Sequence, residues 1–185
     1  STDGTTTATI SGSYQGSRFP RYNNFNTNSR QSSSGYSASG NTYSMGNYYT
    51  WPAAIADTTH YSSGNHNITS ICPAGWHLPT GEDATGDFGV LDIALGGTGA
   101  ASAYNTTPTG ATMSKSYRAY PNNFTYSGYM SNVITRRNTY GSYWTASEDN
   151  GKFANEMLFY DSTVYPGTSN YSKYFGHTIR CVSGT

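Results

Sequence analysis

Eighteen tyrosines stand against four leucines in this chain, and that ratio sets what it can fold into. Leu, Ile, Val and Phe together number 22 of 185 residues. So small an aliphatic share normally goes with disorder, but disorder of that kind also goes with high net charge. Here ten Lys and Arg balance ten Asp and Glu, so the formal net charge is zero. Aromatic residues make up 15% of the chain, and each buried ring removes about 150–250 Å² from water. A core is available if Tyr, Trp and Phe build it.

The remainder is dominated by 25 Ser, 26 Thr, 16 Asn and 21 Gly, read as hydrated surface and loops. Several classes fall away. Without a basic excess the chain is not a phosphate-backbone binder, so no nucleic acid is expected as partner. No apolar run approaches the ~20 residues of a membrane helix, so no membrane span is expected. No sustained heptad or long 3.6-residue apolar stripe points to a helix bundle. The length suits one domain, or one domain with an extension.

Two cysteines, Cys72 and Cys181, in a Ser/Thr/Asn-rich chain with three lysines fit a secreted protein with one disulfide; two free buried thiols are the alternative. A bridge between them would enclose about 110 residues, worth about 4–5 kcal/mol by chain entropy. Neither cysteine belongs to a zinc-type cluster. The opening at Ser1, without Met or leader, reads as a processed or excised start. Asn-x-Ser/Thr sequons at Asn67, Asn105, Asn123 and Asn170 are about as many as this composition produces by chance, and the hydroxyls are candidate O-glycan sites.

Along the chain, residues 5–10 form a β-prone run and residues 13–46 are almost wholly Ser, Asn, Gly, Tyr and Arg. Residues 1–45 therefore read as a strand plus a polar arm that packs on its own domain or on a neighbouring subunit, and residues 46–185 as the domain proper. Pro52 belongs in the first turn of a short helix over residues 53–56. Phe88, Leu91 and Leu95 at i, i+3, i+7 predict a second helix with Asp87 as N-cap and Gly96-Gly97 as its stop. Residues 98–116 read as loop. From residue 117 the pattern turns β-like, through 141–147, 152–162 and 176–182; over 152–160 both alternating sets are partly apolar, as in a strand covered on both faces or lying in an interface. Helices first and strands later make an α+β domain.

The segments GNYYTWPAA (46–54), ICPAGWHLPT (71–80), NNFTYSGY (122–129), GSYWTAS (141–147) and GHTIRCV (176–182) resemble the Fibrobacter succinogenes major paralogous domain, a bacterial cell-surface module. The similarity runs from about residue 46 to 182. It implies a C-type-lectin-like fold, shared with the formylglycine-generating enzyme: two short helices, a small twisted antiparallel sheet and long loops. It also implies that Cys72 pairs with Cys181, closing a small-core domain near its ends.

The residues that carry chemistry elsewhere read here as structural. Trp51, Trp76 and Trp144 are expected in the core, since few aliphatics are available to fill it. His77 lacks a motif-linked carboxylate or nucleophile, and His60, His66 and His177 are scattered without metal spacing. Glu82, Asp83 and Asp87 suit helix capping, and Glu148, Asp149 and Asn150 suit a turn, more than calcium binding. The calcium-and-sugar loop sequences of C-type lectins are missing, and the catalytic cysteine pair of the formylglycine-generating relatives has no counterpart beyond the bridge. No cofactor, metal or catalytic residue is expected.

Surface Tyr and Asn remain. Tyr with Ser, Gly and Asn is the composition of adaptable contact surfaces. The loop-like stretch 155–174 supplies the candidate ligand-binding residues Asn155, Tyr160, Tyr165, Asn170, Tyr171 and Tyr174. Two expectations follow. One is a non-enzymatic extracellular subunit, structural or adhesive, that polymerises with copies of itself through the N-terminal arm. The other is a monomeric lectin-like domain at the cell surface that recognises carbohydrate or protein through residues 155–174.

Overall fold

A computed structural model describes residues 47–56, 69–81, 83–100 and 110–183. The run 5–10, the polar arm, His60, His66, Asn67, Glu82, Asn105 and the side chain of Asn170 lie outside the described residues.

Helix α1, Trp51–Ala54, starts with Pro52 in its first turn and buries all four residues. Trp51 Nε1 donates to the Thr145 carbonyl at 2.9 Å, which anchors the helix to the main sheet. Strand β1, Trp76–His77, follows. Helix α2, Asp87–Ala94, is the one expected from the Phe88/Leu91/Leu95 spacing. Phe88 is buried, and Leu91 and Leu95 pack beside it. Gly96 ends the helix with φ 95, a left-handed turn that glycine takes without penalty. The N-cap is Gly86; Asp87 is the first helical residue, and its carboxylate reaches back to Thr80 N at 2.9 Å.

Helix α3, Gly110–Arg118, corrects the expected loop over 98–116. Met113 and Tyr117, four apart, are fully buried. Between them lie Ser114, Lys115 and Ser116, so the apolar stripe is only two residues long. The expected strand from 117 is corrected too. Past α3 the chain runs irregularly to the short hairpin β2, Tyr129–Met130, and β3, Ile134–Thr135. Phe124 plugs the core from this irregular stretch.

Strands β4, Gly141–Glu148, β5, Phe153–Tyr160, and β6, Thr163–Ser172, form one antiparallel sheet in that order. Every residue of β4 is buried. Both faces of the sheet are covered, as the two half-apolar sets over 152–160 imply. Tyr143, Met157 and Phe159 meet α2 and α3 on one face. Trp144, Ala146 and Ala154 meet α1 and Leu78 on the other. The candidate stretch 160–174, read as loop, is mostly β6. Its repeated Ser, Thr, Asn and Gly hide a strand whose pairing with β5 is interrupted by two bulges.

The chain is closed at its base. Cys72 and Cys181 form a disulfide across 109 residues, as the family likeness implies. Strand β7, Val182–Ser183, pairs with β1. Only those two residues of the segment 176–182 and its neighbour are strand; Gly176, His177 and Thr178 make single bridges to Met130, Tyr49 and Tyr143. The architecture is α+β, with few short helices and small antiparallel sheets.

The core is aromatic, as the composition demands: Tyr48, Trp51, Phe88, Tyr117, Trp144 and Phe159 are its largest buried side chains. Trp76 corrects the expectation for the tryptophans, because it stands 50% exposed on β1. The hydroxyl residues are not confined to the surface either. Ser127, Ser142, Thr145, Ser147, Thr163 and Thr178 are all buried, and they fill space that aliphatics would fill elsewhere. Their groups find partners: Thr178 Oγ1 donates to Ser142 O at 2.9 Å, and Thr145 Oγ1 donates to Asn155 O at 2.9 Å.

Candidate functional site

The six candidate residues separate on the sheet. Leu158 faces Tyr165 and Tyr160 faces Thr163 across the β5–β6 register, while Ala154 faces Tyr171. Side chains directly opposite share a face, so Tyr160, Tyr165 and Tyr171 lie on the face away from α2 and α3. Asn155 alternates to the helix-covered face and is buried, with Oδ1 unpartnered. Tyr174 lies beyond the strand, where its backbone N–H meets Ser172 Oγ at 3.4 Å.

The Tyr160 face holds two groups that composition did not reveal. The first is fully buried. His177 Nδ1 lies 2.6 Å from Glu156 Oε2 and 2.5 Å from Ser142 Oγ, and the Ser142 hydroxyl also donates to Glu156 Oε2. All three side chains are inaccessible to water. Rings enclose the imidazole: Trp144 at 4.0 Å, Tyr171 at 5.1 Å and Tyr129 at 5.8 Å between centroids. The residue types are those of a hydrolytic triad, but the wiring differs. A triad uses one ring nitrogen for the carboxylate and the other for the hydroxyl. Here both partners crowd Nδ1, and Nε2 has none. The arrangement ties β4, β5 and the last segment together.

A second buried charge pair joins Lys173 to Glu148. Glu148 was expected in a surface turn; only Asp149 and Asn150 form that turn, with Asn150 Oδ1 accepting from Lys152 N at 2.9 Å. Burial holds the Lys173 ammonium below the usual lysine range, and hydrogen bonding and charge attraction from Glu148 oppose the shift. The ammonium also sits 4.5 Å from the Trp51 ring centre, a cation–π contact.

His77 has the partner its motif did not show: Nε2 lies 3.1 Å from Asp87 Oδ2. The same oxygen takes Thr80 N at 2.9 Å and the Thr80 hydroxyl at 3.1 Å. The threonine hydroxyl thus turns to the carboxylate and not to the imidazole. The group pins the 77–80 segment to the start of α2.

The second group on the Tyr160 face is open to water. Tyr140 stacks on Tyr160 at 4.9 Å and 16°, and the Arg136 guanidinium lies 4.9 Å over the Tyr140 ring. Beside them Tyr129 stacks on Phe175 at 5.8 Å and meets Tyr171 edge-on at 5.5 Å. All five rings are half-buried, and Arg136 is exposed. Burial pushes the Tyr171 hydroxyl well above its ordinary pKa, helped by charge on Glu156 and by Tyr129 and Tyr140.

The turn that presents Arg136 is strained. Arg136 has φ 59 and Asn138 φ 66, conformations that cost a non-glycine residue about 1–3 kcal/mol. They are held from several sides. The Arg136 carbonyl accepts from Tyr140 N at 2.9 Å, Thr139 N at 3.1 Å and Thr139 Oγ1 at 2.9 Å, and Asn138 N donates to Tyr126 O at 3.0 Å. Gly128, at φ 66, lets this turn pack close, because a Cβ there would overlap the Thr135 carbonyl. The sequence signal for the face was the Tyr-with-Asn composition of 155–174, which named Tyr160 and Tyr171 and missed Tyr129, Tyr140 and Phe175. Nothing in the sequence singled out Arg136, because its role depends on a fold-back turn.

Among the described residues no group of three His, Cys, Asp or Glu is gathered as a metal site, and no helix is long and apolar enough to cross a membrane. Neither a curated protein nor a solved structure matches the chain. The family model of the Fibrobacter succinogenes major domain matches residues 5–183, and so takes in most of the segment set apart as an arm. A match over nearly the whole chain, together with the closing disulfide, places this protein in the Fibrobacter succinogenes major domain family.

Proposed function

We propose that this chain is a non-enzymatic extracellular subunit of a bacterial surface or surface appendage, structural or adhesive, that joins copies of itself through residues 1–45. The observation that carries this reading is what the fold closes and what it leaves open. Its Ser–His–Glu constellation is sealed, while a face of half-buried tyrosines meets water. The disulfide fits an oxidising compartment. Zero net charge lets copies approach without mutual repulsion. We read the fold itself as C-type-lectin-like. That reading is supported by a small antiparallel sheet flanked by short helices and by chain segments 72–77 and 181–183 brought together at the base. Sedimentation velocity across a wide concentration range tests the assembly. The full chain should form larger species as concentration rises, and a chain lacking residues 1–12 should not. A strict monomer at every concentration, unchanged by the deletion, refutes self-association.

A second reading is favoured by the exposed ring face. In it the domain acts as a monomer and recognises a ligand through Tyr160, Tyr171 and their neighbours. A glycan array probed with the full chain separates the two, since the first reading requires no saccharide ligand.

A further inference from the structure

The ring face has the attributes of a saccharide platform with one charge-reading residue. Tyr140 and Tyr160 present stacked, parallel rings. Gly141 pairs with Phe159, so these two tyrosines are held side by side by adjacent strands and lose little freedom on binding. Tyr129, Tyr171 and Phe175 extend the surface. Tyr160 and Tyr171 project from the same side of β5 and β6, which puts the two ring groups on one face. Flat ring surfaces fit the C–H face of a pyranose, and phenolic hydroxyls at their edges can donate to or accept from sugar hydroxyls.

Arg136 sharpens the ligand class. It is exposed, makes no ion pair with a carboxylate among the described residues, and is fixed over Tyr140 by the strained turn. A guanidinium so placed offers a planar fork of donors beside a ring platform, the geometry that pairs with a carboxylate. We propose that this face binds saccharides carrying a carboxylate, such as hexuronate units, with the ring edges and hydroxyls of the stacked Tyr140–Tyr160 pair meeting the sugar and Arg136 pairing with its acid group. The proposal rests on the recognition reading above and goes further by naming the ligand class.

The test is calorimetric titration of the full chain with two probes of equal length, a glucuronate-terminated and a glucose-terminated oligosaccharide. Two variants are titrated in parallel. Arg136→Gly removes the guanidinium and relieves the left-handed backbone, so it leaves the fold intact; Tyr160→Ala removes half of the stacked pair. The expected result is about tenfold tighter binding of the acidic probe, as one charge-assisted pair gives. Arg136→Gly should cancel that preference, bringing the acidic probe to the affinity of the neutral one, and Tyr160→Ala should weaken both. Equal affinity for the two probes, indifferent to Arg136→Gly, overturns the acidic class and leaves the recognition reading standing. Binding of neither probe overturns both.

Discussion

Above about pH 10 two buried tyrosines turn against the fold. Tyr117 is completely buried and donates its hydroxyl proton to Asp92 Oδ1 at 3.2 Å, and Asp92 is itself buried. Burial, and then the Asp92 charge, push the Tyr117 pKa far above 10. Tyr143 accepts from Thr125 N at 2.9 Å, and burial raises its pKa as well. In the folded protein both stay protonated, while in the unfolded chain both ionise near pH 10. The unfolded state then holds fewer protons, so stability falls as pH rises, by about 1.4 kcal/mol per pH unit for each ring. Tyr117 alone costs about 2–3 kcal/mol between pH 10 and pH 12, and Tyr143 adds to the loss in the same direction. That is a large part of the stability of a domain at the lower end of the usual 5–15 kcal/mol range. Tyr171 adds to the loss but is partly exposed, so its share is left out. Lys173 acts oppositely. Its lowered pKa means that raising the pH toward about 10.5 relieves the cost of a buried ammonium, and nothing is gained beyond. The assay is a pH titration followed by tyrosinate absorbance and circular dichroism together. The expected result is that a set of tyrosines ionises only as the fold is lost, in one cooperative step. If every tyrosine ionises near pH 10 while the circular dichroism is unchanged, the buried-ring reasoning is wrong.

Three further outcomes follow from the same interior. Lys173→Met strands Glu148 in the core and should cost about 3–5 kcal/mol in urea denaturation, whereas Lys173→Met with Glu148→Leu should recover most of it. Replacing both Cys72 and Cys181 by serine opens a loop of 109 residues, which costs about 4.8 kcal/mol by chain entropy and lowers Tm by about 10–20 °C. Gly141→Ala drives a methyl into the Phe159 ring and should cost about 1–3 kcal/mol, while Gly151→Ala, with open space around it, should be near neutral in the same assay.

How far the sequence could be read depended on whether a position announced itself by pattern. Helix α2 was legible because Phe88, Leu91 and Leu95 repeat on one face and Gly96-Gly97 stop the run. Strand β5 was legible because its two alternating sets are both apolar enough to need cover. Helix α3 was not, since only Met113 and Tyr117 enter the core and the residues around them belong equally to a loop. Strand β6 was hidden for the same reason: Pro166 and Gly167 sit inside it, and bulges break its period of two. The candidate residues fared by geometry. Tyr160 and Tyr171 share a face, but Asn155, one residue out of phase with that face, is turned into the core. Arg136, Tyr129 and Phe175 reach the site from a turn, a short hairpin and an irregular segment, and no periodicity links them.

The shortage of aliphatic residues also accounts for what sits beneath the site. A chain with so few Leu, Ile and Val must carry hydroxyls and charges into its interior, and each needs a partner there. At one end of the sheet face Ser142, Glu156 and His177 bond one another, with Glu156 Oε1 and His177 Nε2 left over, under a roof of Trp144, Tyr129 and Tyr171. The Tyr129 and Tyr171 rings are held from below by this knot and reach water on their outer sides, while Trp144 is fully buried. At the other end Tyr140 and Tyr160 have no such knot and rest on each other. A polar interior thus fixes the position of the very rings that form the outer face. Glu156→Gln should therefore loosen Tyr171 as well as destabilise the fold. Aromatic proton line shapes of Tyr171 and Tyr129 measured by NMR should broaden or shift in that variant, and those of Tyr140 and Tyr160 should not. Unchanged Tyr171 and Tyr129 resonances would show that the rings hold their place without the buried triad of polar groups.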